Sequence, residues 1–189
     1  MLPNLKVPQH IMPLTDEQLF ELCSANKELV IERNSKGELI VVSPAGGLTG
    51  NRNSKLLSAI FNWNERSNLG FVFDSSTGLL LPDSSMLSPD VSWIKKERWE
   101  NLSVQQQEKF PPLCPDFVIE LCSPSDEWRY VKSKMEIWMK NGCRLGWLID
   151  PMEQKAVVYE NGSTTEFSFK DTLTGGKLMP SLSFSLSKL

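Results

Sequence analysis

Apolar positions along this chain switch between helical and strand-like spacing, and each switch falls on turn-forming residues. Thr15-Asp16-Glu17-Gln18 has the form of a capping box, and Leu19, Phe20 and Leu22 behind it predict a short helix to about Asn26. Leu29 to Glu32 and Glu38 to Val42 are strand-like runs on either side of Asn34-Ser35-Lys36-Gly37, a hairpin pattern. Ser43-Pro44-Ala45-Gly46-Gly47 breaks the chain, and Leu56, Ile60 and Trp63 then recur at helical spacing within a helix from about Leu48 to Ser67. Phe71-Val72-Phe73 and Leu79-Leu80-Leu81 follow as strands, with Asp74 to Gly78 between them as a turn or loop.

The second half opens with a strand around Ser88-Pro89-Asp90-Val91-Ser92-Trp93. Lys95 to Phe110 is polar, with Trp99 and Leu102 as its few apolar anchors, and predicts short surface helices. Prolines 111, 112 and 115 set up a further strand-like segment, Pro115 to Glu120. In Ser123-Pro124-Ser125-Asp126 serine can cap and proline suits the first helical position, so a helix is expected from there to Asn141, stopped by Gly142. Leu145 to Ile149 is a buried-strand run, making a βαβ crossover with the Glu120 strand. Ala156 to Tyr159 and Glu166 to Phe169 form a closing hairpin around Asn161-Gly162, and the tail after Leu173 has only weak strand character. This order predicts an α/β fold with a mixed central β-sheet flanked by helices, in a single domain spanning residues 1–189 with an irregular N-terminal arm over residues 1–13.

Two carboxylates sit where burial is expected. Asp90 interrupts a segment whose Val91, Trp93 and Ile94 favour the interior, and Glu120 ends an apolar run. Two acids on neighbouring strands repel unless a proton or a cation lies between them, and their hard oxygens suit magnesium or manganese. The plainer alternative is a pair of strand-end acids facing water. The following helix carries Lys132, Lys134 and Lys140, and its apolar stripe runs through Trp128, Val131, Met135 and Trp138. At about 100° per residue Lys134 lies about 60° from Val131, whereas Lys140 falls about opposite and Lys132 about 100° away. Lys134 therefore borders the buried face, and because helical side chains lean toward the N-terminus its ammonium is aimed back toward Glu120. It could orient or deprotonate a water and stabilise charge on a phosphate, or simply snorkel along the core edge.

Composition narrows the partners. Twenty basic and 23 acidic residues give a formal charge of −3, so nucleic acid would have to be held locally or through a metal. The four cysteines form no CxxC pair and His10 is the one histidine, which argues against a zinc site. A third possibility, a cysteine-based redox protein, lacks a reactive-thiol environment. No signal peptide or membrane anchor is visible, so a cytoplasmic location is expected.

Ser-Pro-Asp90, Pro-Asp-Phe-Val-Ile-Glu120 with Ser-Pro-Ser-Asp126, Lys134 ahead of Trp138, and Asn141-Gly142 leading to Gly146-Trp147-Leu148-Ile149-Asp150 resemble the Uma-two family. So do the Ser43-Pro44 break and Gly50-Asn51-Arg52-Asn53, and the resemblance spans about Leu14 to Leu186. That family consists of restriction-endonuclease-like proteins of the PD-(D/E)xK nuclease superfamily. The resemblance implies a restriction-endonuclease-like fold and an Mg2+-dependent (or Mn2+-dependent) DNA endonuclease. Asp90, Glu120 and the Leu121 carbonyl would hold the metal, and Lys134 would position the attacking water. Cys122 stands where the superfamily pattern Glu-x-Lys has lysine, and the resemblance places that lysine on the neighbouring helix, at Lys134. It also implies a further acid from the N-terminal half, Glu32 or Glu38. DNA is the expected partner, no membrane is expected, and a homodimer is compatible. A catalytically silent nucleic-acid-binding or interaction module that kept the fold is the alternative, favoured by the net negative charge and by Cys122.

Overall fold

The computed structural model describes residues 13–189; the expected N-terminal arm, with His10, otherwise lies outside the described residues. Helix α1 (Asp16–Ala25) begins at the expected capping box, with Thr15 and Gln18 each accepting from the other's backbone N–H. Strands β1 (Val30–Arg33) and β2 (Leu39–Val42) form the expected antiparallel hairpin, and helix α2 follows over Gly47–Ser67. Next come β3 (Gly70–Asp74), β4 (Leu79–Leu80), β5 (Met86–Leu87) and β6 (Val91–Lys95). The polar excursion forms two short helices, α3 (Lys96–Glu100) and α4 (Val104–Glu108), before β7 (Phe117–Leu121), α5 (Trp128–Lys140) and β8 (Leu145–Asp150). The hairpin of β9 (Lys155–Glu160) and β10 (Ser163–Ser168) turns on Asn161-Gly162 alone, both at positive φ. Strands β11 (Thr172–Thr174) and β12 (Ser183–Ser185) then pair with each other, and a 3-10 turn ends the chain.

The central sheet has six strands in the order β10-β9-β8-β7-β6-β3. Within it β7 and β8 are the parallel pair, as a strand–helix–strand crossover requires, and the other neighbours are antiparallel. A second sheet, β2-β1-β5-β4, carries α1 on a small cluster around Leu14, Leu19 and Met86. Leu79 and Leu80, expected as the strand following β3, pair not with it but with Met86 and Leu87 in the other sheet. A two-residue strand is too short for periodicity to assign its partner.

Both faces of the central sheet are covered. On one, Phe117, Ile119 and Leu121 pack with Leu56, Ile60 and Trp63 of α2 and with Met179, Leu182, Phe184 and Leu186 of the C-terminal segment. On the other, Val118, Cys122 and Leu148 pack with Val131, Met135 and Trp138 of α5. The tail, expected to have only weak strand character, forms two short strands and contributes Met179, Leu182, Phe184 and Leu186 to the core. Strand alternation places Glu120, between Ile119 and Leu121, on the α5 face.

Helix α5 starts later than predicted. Asp126 accepts the Ser123 N–H and Ser123 accepts the Asp126 N–H, closing Ser123–Asp126 into a turn, and the helix enters at Glu127 without a side-chain cap. Serine and aspartate at that spacing satisfy a turn as readily as a helix cap.

Gly70 marks the tightest packing at the edge strand: a Cβ there would run into the Ile94 carbonyl and lie 2.5 Å from the Trp93 indole. Gly70→Ala should destabilise the fold by about 1–3 kcal/mol in urea denaturation. Gly50→Ala, in open space on α2, should instead be neutral or stabilising by up to about 1 kcal/mol.

Candidate active site

Strand register brings the two predicted acids together. β6 pairs antiparallel with β7 with Val91 opposite Ile119, so one step further Asp90 faces Glu120 across the strand pair. Each is fixed by named donors. The Asp90 carboxylate accepts the Leu121 backbone N–H at 2.7 Å and the Asn53 amide at 2.6 Å, and Glu120 accepts the Trp138 indole N–H at 2.7 Å.

Lys134 lies deeper than a residue at the rim of the buried face. Its side chain is 14% exposed, and its ammonium is 3.3 Å from Glu120 Oε1 and 3.0 Å from Glu32 Oε1, and donates to the Ser88 carbonyl at 2.8 Å. Because α5 begins at Trp128, Lys134 is reached within the second turn of the helix, which still leaves it alongside Glu120. Lys132 instead pairs with Glu136 on the surface, and Lys140 is exposed, as the helical wheel places them.

Glu32 is the acid the N-terminal half contributes. It is 1% exposed on β1, and besides Lys134 it accepts the Ser88 N–H at 2.9 Å. Glu38 takes no part; it accepts from Asn34 within the β1–β2 turn. The choice between them rests on the docking of the two sheets, although the run Val30-Ile31-Glu32-Arg33, with acid and base inside an apolar strand, was itself a signal. Arg33 is also buried and pairs with Asp16. Asp116 sits at the other end of β7, paired with Arg98 at 2.9 Å, and is no part of the cluster. Asn53 and Trp138 are the contacts sequence reasoning left without a role.

Burial dominates the proton affinities. It raises Asp90 above the ordinary carboxylate range, against the opposing pull of Leu121 N–H, Lys134 and Asn53. Burial likewise pushes Glu120 up to about 8, with Lys134 pulling it down and Asp90 adding to the rise. Desolvation alone would lower Lys134, but Glu120, Glu32 and Asp90 outweigh it and hold the ammonium above its usual range. Lys134 is therefore a persistent cation. Cys122, buried on the α5 face, has its thiol pushed by burial to about 12 and cannot serve as a charged group.

Among the described residues no three His, Cys, Asp or Glu side chains form a ready-made metal cluster. The donor set is nonetheless of the type a hard dication takes. Three carboxylates, Glu32, Asp90 and Glu120, surround one ammonium, and the buried Oε2 of Glu32 and Oδ1 of Asn53 have no hydrogen-bond partner. Mg2+ commonly binds through one or two carboxylates, with waters and substrate phosphates completing its shell. A cleft of about 440 Å³ opens elsewhere, between α2 and β3, and none of these acids lines it. No helix among the described residues is long and apolar enough to cross a membrane.

Among solved structures, the chain is similar to one from Anabaena variabilis ATCC 29413 described as "a putative nuclease belonging to DUF820", with a TM-score of 0.76 and 22% identity over 93% of this chain and 96% of that one. The fold is accordingly restriction-endonuclease-like, a mixed sheet flanked by helices. No curated protein matches the chain. A family model described as "Putative restriction endonuclease" matches residues 16–187, and the chain belongs to this Uma-two (Uma2) family.

Proposed function

We propose that this chain is a metal-dependent nuclease, one restriction-endonuclease-like domain hydrolysing DNA phosphodiester bonds with Mg2+ or Mn2+. The observation that carries the proposal is the Lys134 ammonium held among Glu32, Glu120 and the Ser88 carbonyl, beside the cross-strand pair of Asp90 and Glu120. Family membership supports the reaction class.

Asp90, Glu120 and the Leu121 carbonyl would hold the cation. A bound dication supplies Lewis acidity toward a phosphoryl oxygen and lowers the pKa of water. Lys134, kept charged by the acids around it, favours an electrostatic role over that of a proton acceptor. Its positive charge draws the attacking water into position and stabilises negative charge gathering on the phosphate. The Trp138 indole fixes the Glu120 carboxylate in one orientation, and the Leu121 N–H does the same for Asp90. The acids here outnumber the one ammonium, so the bound dication is what would let a protein of net charge −3 engage a polyanion at this site.

Asp90→Ala should abolish Mn2+ binding in calorimetry, and an unchanged affinity would remove the basis for the site. The affinity of the wild-type protein should also depend on pH. Glu120 binds metal as the carboxylate, so protonation competes below about pH 8; affinity should fall roughly tenfold per unit there and level off above it. A flat profile would disconnect Glu120 from the cation.

Lys134→Ala leaves two buried acids without their counter-charge, and should cost about 3–5 kcal/mol in urea denaturation under chelator, partly recovered with Mn2+. Nicking of supercoiled DNA by the folded, Mn2+-loaded variant should drop on the order of a hundredfold or more, while Lys140→Ala on the exposed face stays near wild type. Full cleavage by Lys134→Ala would refute its role. A wild-type protein that binds Mn2+ yet cleaves no DNA would be the silent module.

A further inference from the structure

Asn53 lies on the buried stripe of α2, one turn before Leu56 and two before Ile60, where that stripe reaches the acids. Its amide N–H donates to Asp90 Oδ1 at 2.6 Å, and this contact fixes which way the amide faces, because a carboxylate oxygen accepts from NH2 and repels a carbonyl. The carbonyl Oδ1 is thereby turned away from Asp90, and there it is buried with no hydrogen-bond partner. A buried acceptor left unpaired is unfavourable and uncommon in folded proteins.

A second orphan belongs to another residue that holds the segment carrying Asp90. Glu32 is 1% exposed and its Oε1 is committed to Lys134 and to the Ser88 N–H, while Oε2 has no partner. Glu32 and Asn53 thus grip the two ends of Ser88-Pro89-Asp90 from different elements, each with a buried oxygen unsatisfied. Oxygens of this kind need a donor or a cation, and the three carboxylates around a single ammonium make a cation the better match.

We propose that Asn53 is a working part of the metal centre, its NH2 positioning Asp90 and its Oδ1 acting as a neutral oxygen donor to the divalent cation or to that cation's water. The inference rests on the reading of this site as a metal centre. An amide suits the place because it offers a donor to Asp90 and an acceptor to the cation from one short side chain, without bringing a fourth carboxylate into the cluster.

The test is calorimetric titration of the chelator-stripped full chain with MnCl2, without DNA, for wild type, Asn53→Ala, Asn53→Asp and Asp90→Ala, with thermal midpoints in chelator to verify folding. Asn53→Ala should weaken Mn2+ binding at least about tenfold. Asn53→Asp restores a donor oxygen while losing the NH2, and should bind more tightly than Asn53→Ala. Equal affinity of wild type and Asn53→Ala overturns the proposal and leaves the metal centre standing. Weaker binding by Asn53→Asp than by Asn53→Ala overturns the donor role, as expected of a residue that only ties α2 to Asp90. Absence of Mn2+ uptake by the wild type removes the metal centre and this proposal with it. Should Asn53→Ala fail to fold, loss of uptake in a folded Asn53→Asp is the overturning result.

Discussion

The Lys134 ammonium ties the molecule together. From one position on α5 it meets Glu120 of the central sheet, Glu32 of the second sheet and the Ser88 carbonyl on the segment entering β6. Charges this deep are tolerated only when compensated, and each of these groups would be costly to bury without the others. The ammonium adds direction, because its donors must each meet a particular oxygen. Burial is what chiefly raises Glu120, with Asp90 adding to it, and the acids gathered there are what keep Lys134 charged.

Around this centre the core is apolar and aromatic. Trp93, Trp138 and Trp147 are almost completely buried, and the Trp138 indole N–H emerges from the core to bond Glu120. Trp138 therefore carries a packing face and a polar handle at once, a division of labour to which indole is well suited. At the far end of β7, Asp116 is held by Arg98 and by the Lys95 N–H, so one strand carries one ion pair at its start and the Glu120–Lys134 pair at its end.

How much of this was legible in the sequence depended on the range of the interaction. The helical wheel distinguished Lys134 from Lys132 and Lys140 because the stripe through Val131, Met135 and Trp138 is a local pattern with a known period. The pairing of Asp90 with Glu120 was also within reach, since both interrupt apolar strands. Glu32 was legible only as one of two options, because its selection over Glu38 depends on how one sheet docks on another. The start of α5 was misplaced because Ser123-Pro124-Ser125-Asp126 satisfies a turn and a helix cap with the same side chains. The pairing of β4 with β5 and of β11 with β12 rests on two or three residues each, too few for any period to register. Asn53 was visible as a motif residue, but its partner Asp90 lies far along the chain, on the segment entering β6.

That separation along the chain bears on assembly. β7, α5 and β8 are contiguous and can organise as a unit, but the Glu32 that completes the Lys134 site comes from a hairpin near the opposite end of the sequence. Contacts of such long range carry a loop-closure cost before they give any return, and they are favoured only once the intervening elements are in place. The charged cluster is therefore complete only when the two sheets have docked. A nascent or partly unfolded chain carries its acids apart and hydrated, so the assembled constellation is confined to molecules that have finished folding.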